Sequence, residues 1–439
     1  MDEMDRRAPG GPFAVRSPQS AVRSPHYQSR RYRDMVDSKS SAHTRGHERL
    51  VDGARIKALL RMALVWACPV AVLALAGCTT PKIENPPEFA TVAKQGVLFV
   101  GGKYKSDPAQ GMTDQAYVFY QIPKGYAPGR DGKWPIIMVH GSEQTGANFL
   151  GTPDGRPGWV WYFVSQGWPV YVIDQPGHGK SGYFPETYGV QAASPQPARV
   201  QGLFAGPELT QPTAWPEAPL HTQWPGGAGS GKRGNEAFDQ FMASQVANVP
   251  EHKRALALTR RALGELLGRI GPSILVTHSM AGPLSWMVPQ DNPGKIKAVI
   301  AIEPTGNSSL RGDAAPGSPC GLTDECLRFS PAIESPADLG LVKTPSPIAG
   351  LQSCWLQTPP ARTLADLAGL PILIATSEAS YHAQYDHCTS LFLSQAGVTN
   401  TWINLASVGI RGNGHMQMLE LNNLEIANFY KNWILRHVR

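Results

Sequence analysis

The block Ser273-Ile-Leu-Val-Thr-His-Ser-Met-Ala-Gly282 constrains this 439-residue chain more than any other. A β-branched apolar run stops at His278-Ser279. Small residues and a helix-forming stretch follow at once (Ala281, Gly282, Pro283, Leu284, Trp286, Met287). The change of period predicts a buried strand turning sharply into a helix, with Ser279 at the apex. Such a turn holds one side chain clear of a parallel sheet and aims helix N-terminal N–H groups at it. Thr277 and Ala281 stand where the G-x-S-x-G pattern usually has glycine. Read alone, the segment also fits an ordinary strand-to-helix turn with a capping serine.

Three further blocks come in an order that favours the sharper reading. Pro135-Ile-Ile-Met-Val-His-Gly141 is a buried-type strand running into Ser142-Glu-Gln-Thr-Gly146, a loop able to present a backbone N–H beside the serine. Pro169-Val-Tyr-Val-Ile-Asp174 is a second such strand, followed by Gln175-Pro-Gly-His-Gly-Lys-Ser-Gly182. Near the end, Trp402-Ile-Asn-Leu405 leads through a glycine-rich loop to Gly414-His415-Met416. Short apolar strands at 135–140, 169–174, 273–278, 297–303, 371–376 and 400–405 alternate with helical stretches. The helices are expected near 159–166, 252–270, 280–289, 384–396 and 416–437. Leading strands at 97–100 and 117–121 read as antiparallel. This alternation predicts an α/β fold, a mostly parallel sheet with helices on both faces.

Strand–loop, strand–Asp-x-x-Gly turn, strand–serine elbow and a late loop histidine resemble the α/β-hydrolase superfamily. More narrowly, the chain resembles the secreted bacterial, Alcaligenes-type esterases with a Ser–Glu–His triad. The residues that carry this are Thr152-Pro-Asp-Gly-Arg-Pro-Gly-Trp159, Tyr171-Val-Ile-Asp-Gln-Pro-Gly-His-Gly-Lys-Ser181 and Thr277–Gly282. Ile302-Glu-Pro304, Gly409-Ile-Arg-Gly-Asn-Gly-His-Met-Gln-Met418 and Asn422-Asn-Leu424 add to them. The similarity spans about residue 97 to the C-terminus. One departure stands out: those esterases have two adjacent cysteines after His-Gly, whereas this chain has Ser142-Glu143.

The resemblance implies hydrolysis of a small-molecule carboxylic ester, with no cofactor. A serine hydroxyl is a weak nucleophile and needs an adjacent base, itself oriented by an acid. Ser279 is the expected nucleophile and His415 the base. The N–H groups of Ser142 and Met280 are the expected oxyanion hole. Two carboxylates compete for the acid. Most layouts of the fold take it from the loop after strand 371–376, where Glu378 stands and Asp386 lies farther on. Glu303 ends the strand that follows the elbow strand, and the resembling esterases carry a glutamate in the matching Glu-Pro context. Glu303 is therefore expected, with Glu378 the alternative. A thioesterase or acyltransferase, and a non-catalytic envelope lipoprotein that keeps the fold as a binding module, are the other readings.

Residues 1–50 are rich in arginine among Ser, Pro and Gln, and read as a disordered leader. Arg55, Lys57 and Arg61 then precede the apolar run Met62–Ala76, and Leu75-Ala-Gly-Cys78 resembles a bacterial lipobox. Residues 51–78 are thus expected to be an export signal. Cys78 would be lipidated and would anchor the protein to the membrane of the cell envelope; without lipidation the protein would be secreted. A signal this far in suggests that translation starts near Val51. Residues 1–77 hold 13 Lys/Arg against 7 Asp/Glu, which accounts for the whole chain's +6; the remainder is neutral. Nothing in the mature chain therefore points to nucleic acid. After a linker at 79–96, residues 97–439 form one catalytic domain. Insertions at about 183–250 and 305–368 leave the C-terminal ends of strands and are expected to cap a pocket. Their aromatics suggest a bulky or apolar substrate, and Gly226–Gly231 reads as a flexible hinge. Cys320, Cys326, Cys354 and Cys388, an even number in an exported chain, are expected to form two disulfides. Of three possible pairings, Cys320–Cys326 with Cys354–Cys388 is preferred. No C-x-x-C or Cys/His cluster suggests a metal.

Overall fold

The structure, a computed structural model, describes residues 91–107, 111–307 and 315–438. The expected leader, export signal, lipidation site Cys78 and proposed start at Val51 lie outside the described residues. Ten strands matter here: β1 Val92–Val100, β2 Ala116–Pro123, β3 Ile136–Val139, β4 Val170–Asp174, β5 Ser273–His278, β6 Ile296–Ile302, β7 Leu341–Thr344, β8 Cys354–Gln357, β9 Ile372–Thr376 and β10 Thr401–Asn404. Eight of them form one sheet in the order β1-β2-β4-β3-β5-β6-β9-β10, and β7 and β8 make a separate hairpin in the second insertion. The two leading strands are antiparallel to their neighbours. From β4 to β10 every pairing is parallel.

The parallel strands are apolar throughout because helices cover both faces. Alternate residues feed two cores. Ile137, Val139 and Leu275 pack under α3 (His252–Ile270), α4 (Leu284–Asp291) and α5 (Asp386–Gln395). Ile136, Met138, Ile274 and Val276 pack under α1 (Trp159–Ser165) and α6 (Asn423–His437), and α2 (Glu236–Ser244) of the first insertion adds to the same core. This three-layer arrangement is the expected α/β-hydrolase fold. In it β5 is central, so its C-terminal end, Ser279, emerges at the middle of one sheet edge.

Four expectations need correction. β1 begins at Val92, inside the segment read as linker, and Gly96 already pairs with Tyr120. Its outward-facing Lys94 and Gln95 hid it from the hydrophobic pattern. The last helix begins at Asn423 rather than Met416. Met416, Met418 and Leu419 have helical spacing but bury from an irregular loop. In the run read as a hinge, Gly231 has another reason: a Cβ there would stand 1.8 Å from the Ala205 carbonyl oxygen, so glycine is required for close backbone contact, while Gly226, Gly227 and Gly229 take positive φ. The aromatics of the first insertion mostly do not face a substrate: Trp224, Phe238 and Phe241 fill the core between it and the His415 loop. Among the described residues no helix is long and apolar enough to cross a membrane.

The structure joins Cys320 to Cys326 and Cys354 to Cys388. The second bridge closes a 34-residue separation and ties β8 of the second insertion to α5. Cross-linking a loop of this size removes disorder mainly from the unfolded chain. Replacing Cys354 and Cys388 together by serine is expected to lower unfolding free energy by about 2–4 kcal/mol. Denaturant titration with and without reductant checks it, since the wild type should lose more stability on reduction than the double variant, which keeps only the Cys320–Cys326 bridge.

Candidate active site

At the elbow, Ser279 has φ 55°, in the left-handed region that non-glycine residues avoid. Three bonds hold the strained turn: Gly282 N–H, Thr305 N–H and the Thr305 hydroxyl all donate to the Ser279 carbonyl oxygen, at 2.8, 3.1 and 3.2 Å. The two missing glycines are absorbed locally. The Thr277 hydroxyl bonds Ser285 at 2.6 Å, and Ala281 is fully buried. The close approach falls one residue later, at Gly282, where a Cβ would sit 2.6 Å from Pro304 and 2.8 Å from the Thr305 nitrogen.

Glu303, just beyond β6, shares the left-handed conformation at φ 45° and is fully buried. Its carboxylate accepts from His415 Nδ1–H, from Ser377 N–H at 2.8 Å and from the Ser380 hydroxyl at 2.6 Å. Burial alone would raise this acid; the His415 ring, then His382 and Ser380, outweigh it and hold the carboxyl down at about 2. Burial also pushes His415 below its ordinary value, against the pull of Glu303, which leaves a neutral imidazole beside a carboxylate at pH 7. Phe204 from the first insertion stacks on that ring at 5.3 Å, and His278 Nε2–H donates to the His415 carbonyl at 3.0 Å. Glu378 is engaged elsewhere: it accepts from Arg411 at 2.6 Å and from Gly412 N–H at 2.9 Å. Asp386 lies on α5 and accepts from Thr376 at 2.8 Å and from His382 Nδ1 at 2.7 Å.

Opposite His415 lies the loop after β3. His140 Nε2 accepts from Gln175 N–H at 3.1 Å, so its Nδ1–H donates to the Gly141 carbonyl at 2.8 Å. Burial, then neighbouring His178, keeps this ring neutral by pushing its pKa down to about 3. A Cβ on Gly141 would meet both His278 and Ser279 at 2.9 Å. Glu143 has φ 63° and is held from the first insertion by Arg199 on its carboxylate, by Val246 N–H on its carbonyl at 2.9 Å and by Asn248. Asn248 accepts from Glu143 N–H at 2.8 Å and donates to the Ser142 hydroxyl at 2.7 Å.

The His415 loop is braced from two sides. Arg156 donates to the carbonyls of Leu419, Glu420 and Leu421 and to Asn423, which explains the Thr152–Trp159 motif. From the insertion, His221 lies between Glu208 at 2.8 Å and Glu420 at 3.1 Å, and Glu420 accepts from Gly414 N–H at 2.8 Å. Burial would lower the His221 pKa, but the two carboxylates overcome it and push it up to about 9.

These walls enclose a cavity of about 650 Å³. Ser142, Ser279 and Met280 line it, with Phe204 and Asn248 from the first insertion and Ser318 and Asp324 from the second. Sequence reasoning missed Ser377 and Ser380, which complete the carboxylate's shell, and missed Asn248, His221 and Tyr381. Only the position of Ser377 and Ser380, directly after strand 371–376, could have pointed to the loop beside Glu303.

No protein-family model matches the chain. It is 36% identical over 376 residues to the probable secreted lipase phiG of Fungal sp. (strain ATCC 74256), covering 85% of this chain and 98% of that protein. The solved structure of a novel bacterial esterase superposes with a TM-score of 0.53 at 23% identity, covering 81% of this chain and 99% of the other.

The pKa of His221 lies above that of an unfolded histidine, so its contribution is fully present below about pH 6.5 and is lost as pH rises through about 9. His221→Gln is expected to cost about 3 kcal/mol at pH 6, because it leaves buried carboxylates without a counter-charge. By pH 9.5 the difference from wild type should largely vanish. Urea titrations at both pH values test this; an equal difference at both would show that packing, not charge, holds the loop.

Proposed function

The chain belongs to the α/β-hydrolase family of esterases and lipases and is a carboxylic ester hydrolase; from that premise we propose that it cleaves small-molecule esters through an acyl-enzyme on Ser279. His415 is the base and Glu303 its orienting acid. The observation that carries this reading is the bond from His415 Nδ1–H to the buried Glu303 carboxylate, beside a cavity lined by Ser279. That bond fixes the tautomer, leaving the lone pair of Nε2 for the serine proton.

In acylation, Ser279 Oγ attacks the ester carbonyl carbon as His415 Nε2 takes its proton. Charge develops on the carbonyl oxygen, which the N–H groups of Ser142 and Met280 receive. Each such donor is worth roughly 3–4 kcal/mol in comparable hydrolases. The adduct then expels the alcohol, protonated by the imidazolium. Water, deprotonated by the same nitrogen, releases the acid. Glu303 stabilises the imidazolium in both halves and keeps its own charge, in line with its depressed pKa. The cavity offers alkyl and aromatic wall from Leu203, Phe204 and Pro283, with polar groups at Arg199, Asn248 and Asp324, a lining suited to a substrate with apolar and polar parts.

Ser279→Ala is expected to abolish both ester hydrolysis and labelling by a fluorophosphonate probe without changing the melting temperature by more than a few degrees. Glu303→Gln should lower kcat by about 10³–10⁴ with little change in KM. Glu378→Gln should stay within a few-fold of wild type. Steady-state kinetics of the three variants on one ester decide the matter: a crippled Glu378→Gln beside an active Glu303→Gln would move the acid to the loop after β9.

We also infer export, followed by lipid attachment at Cys78. The support is the order of a basic segment, an apolar run and Leu75-Ala-Gly-Cys78, together with a relative described as secreted. In a bacterial host the wild type should take up labelled fatty acid and sediment with membranes, whereas Cys78→Ala should do neither. Equal membrane partition of both, without label, would leave export alone.

A further inference from the structure

Tyr381 lies in the loop between β9 and α5, and its place is over-determined. Its ring packs edge-on against Trp215 at 5.8 Å and lies 4.8 Å from the His415 ring. Trp215 is itself pinned by a bond from its indole N–H to the Ala379 carbonyl at 3.0 Å. Ser380 accepts from His382 N–H while donating to Glu303, so the residues flanking Tyr381 are bonded into the acid's own shell. The phenol lines the cavity. Its hydroxyl stands 3.4 Å from His415 Nε2, and Ser279 lines the same cavity.

A hydroxyl beside the accepting nitrogen, on the cavity wall that also carries the nucleophile, sits where the second ester oxygen must pass. The carbonyl oxygen is committed to the N–H groups of Ser142 and Met280. The alkoxy oxygen has to approach His415 Nε2 to collect its proton, and there it comes within reach of a donor already beside that nitrogen. We propose that Tyr381 is a further catalytic residue, whose O–H donates a hydrogen bond to the alkoxy oxygen of the substrate as it leaves. The inference rests on the Ser279–His415 assignment. In the step concerned the bond from carbon to the alkoxy oxygen breaks and its electron pair moves to that oxygen. The proton comes from His415 Nε2, and Tyr381 keeps its own proton throughout. Burial, then the charge of Glu303, push this phenol above its ordinary pKa, so it acts as a neutral donor across the working pH range. When the cavity holds no ester, the same hydroxyl lies against the base.

A role at the leaving group has a signature that a packing role lacks. An alkoxide from an aliphatic alcohol needs the donor; p-nitrophenolate, already a stable anion, barely does. Tyr381→Phe keeps every ring contact and removes only the oxygen. Its kcat/KM, which reports acylation, should fall about 100-fold on an ethyl ester, the loss expected for one preorganised donor. On the p-nitrophenyl ester of the same acid it should fall less than threefold, and fluorophosphonate labelling of Ser279 should stay near wild type. Equal losses on both esters, or no loss on the ethyl ester, would overturn the proposal while leaving the triad untouched. A Ser279→Ala variant that still hydrolysed both esters would instead sink the triad. Should the Phe variant not fold, 3-fluorotyrosine at 381 keeps the shape and strengthens the donor. It should raise the ratio of ethyl to p-nitrophenyl kcat/KM severalfold, and an unchanged ratio overturns the proposal equally.

Discussion

A carboxylate with no exposure to water is the constraint around which this site is built. An isolated buried charge costs several kcal/mol even after relaxation, so Glu303 is tolerable only if donors reach it. They come from two chain segments far apart in sequence: the His415 loop beyond β10, and Ser377 and Ser380 beyond β9. Satisfying one carboxylate therefore fixes the loops at three neighbouring strand ends against each other. The backbone at Glu303 is itself strained, at φ 45°, as is Ser279 at φ 55° at the end of the preceding strand, its neighbour in the sheet. Strain at two adjacent strand ends persists only where surrounding bonds over-determine it, and here Thr305, two residues past Glu303, holds the Ser279 carbonyl through both its N–H and its hydroxyl.

The first insertion supplies much of that surrounding structure. It contributes Asn248 to the loop after β3, His221 and Glu208 to the loop of His415, and Phe204 to the face of the imidazole. Its large aromatics are spent on burying it against Met416, Met418 and Leu419. Removing the insertion would strip both loops of partners as well as open the cavity, so it is part of the folded domain rather than a lid laid over it.

What was legible in the sequence follows from the range of the interactions involved. Strands β3, β4, β5, β6 and β9 announce themselves as short β-branched runs, because a parallel strand covered on both faces has no polar side to interrupt it. Helix α3 shows its apolar stripe over its whole length, and its ends were read to the residue. Ser279 was legible because the strand-to-helix turn is a local event. β1 was cut short because an edge strand facing water carries polar residues such as Lys94 and Gln95. Residues 416–422 misled for the opposite reason, since apolar side chains anchoring an irregular loop can fall at helical spacing. The proposed acid was not legible from pattern at all: Glu303 and Glu378 are both glutamates just past strands, and only a resemblance separated them. Asn248, His221 and Tyr381 left no local signal, because each acts on a segment more than thirty residues away.

The two walls of the site are held by different chemistry, and the difference has consequences for rigidity. The His415 side is tied by an imidazolium between two carboxylates and by a guanidinium on three carbonyls, bonds of the charge-assisted kind worth roughly twice a neutral one. The Ser142 side is held mainly by neutral groups: Asn248 spans the Ser142 hydroxyl and the Glu143 N–H, and Val246 N–H donates to the Glu143 carbonyl at 2.9 Å. Where the resembling esterases carry two adjacent cysteines, this chain has Ser142-Glu143, and Glu143 takes up a positive φ that these bonds help to hold from the insertion side. Neutral hydrogen bonds contribute about 1 kcal/mol net, comparable to the cost of a left-handed non-glycine residue. The ion pair of Glu143 with Arg199 is half in solvent and adds little. The margin at this loop is therefore small. The proposed base is locked by charge, and the proposed oxyanion loop is held mainly by neutral bonds.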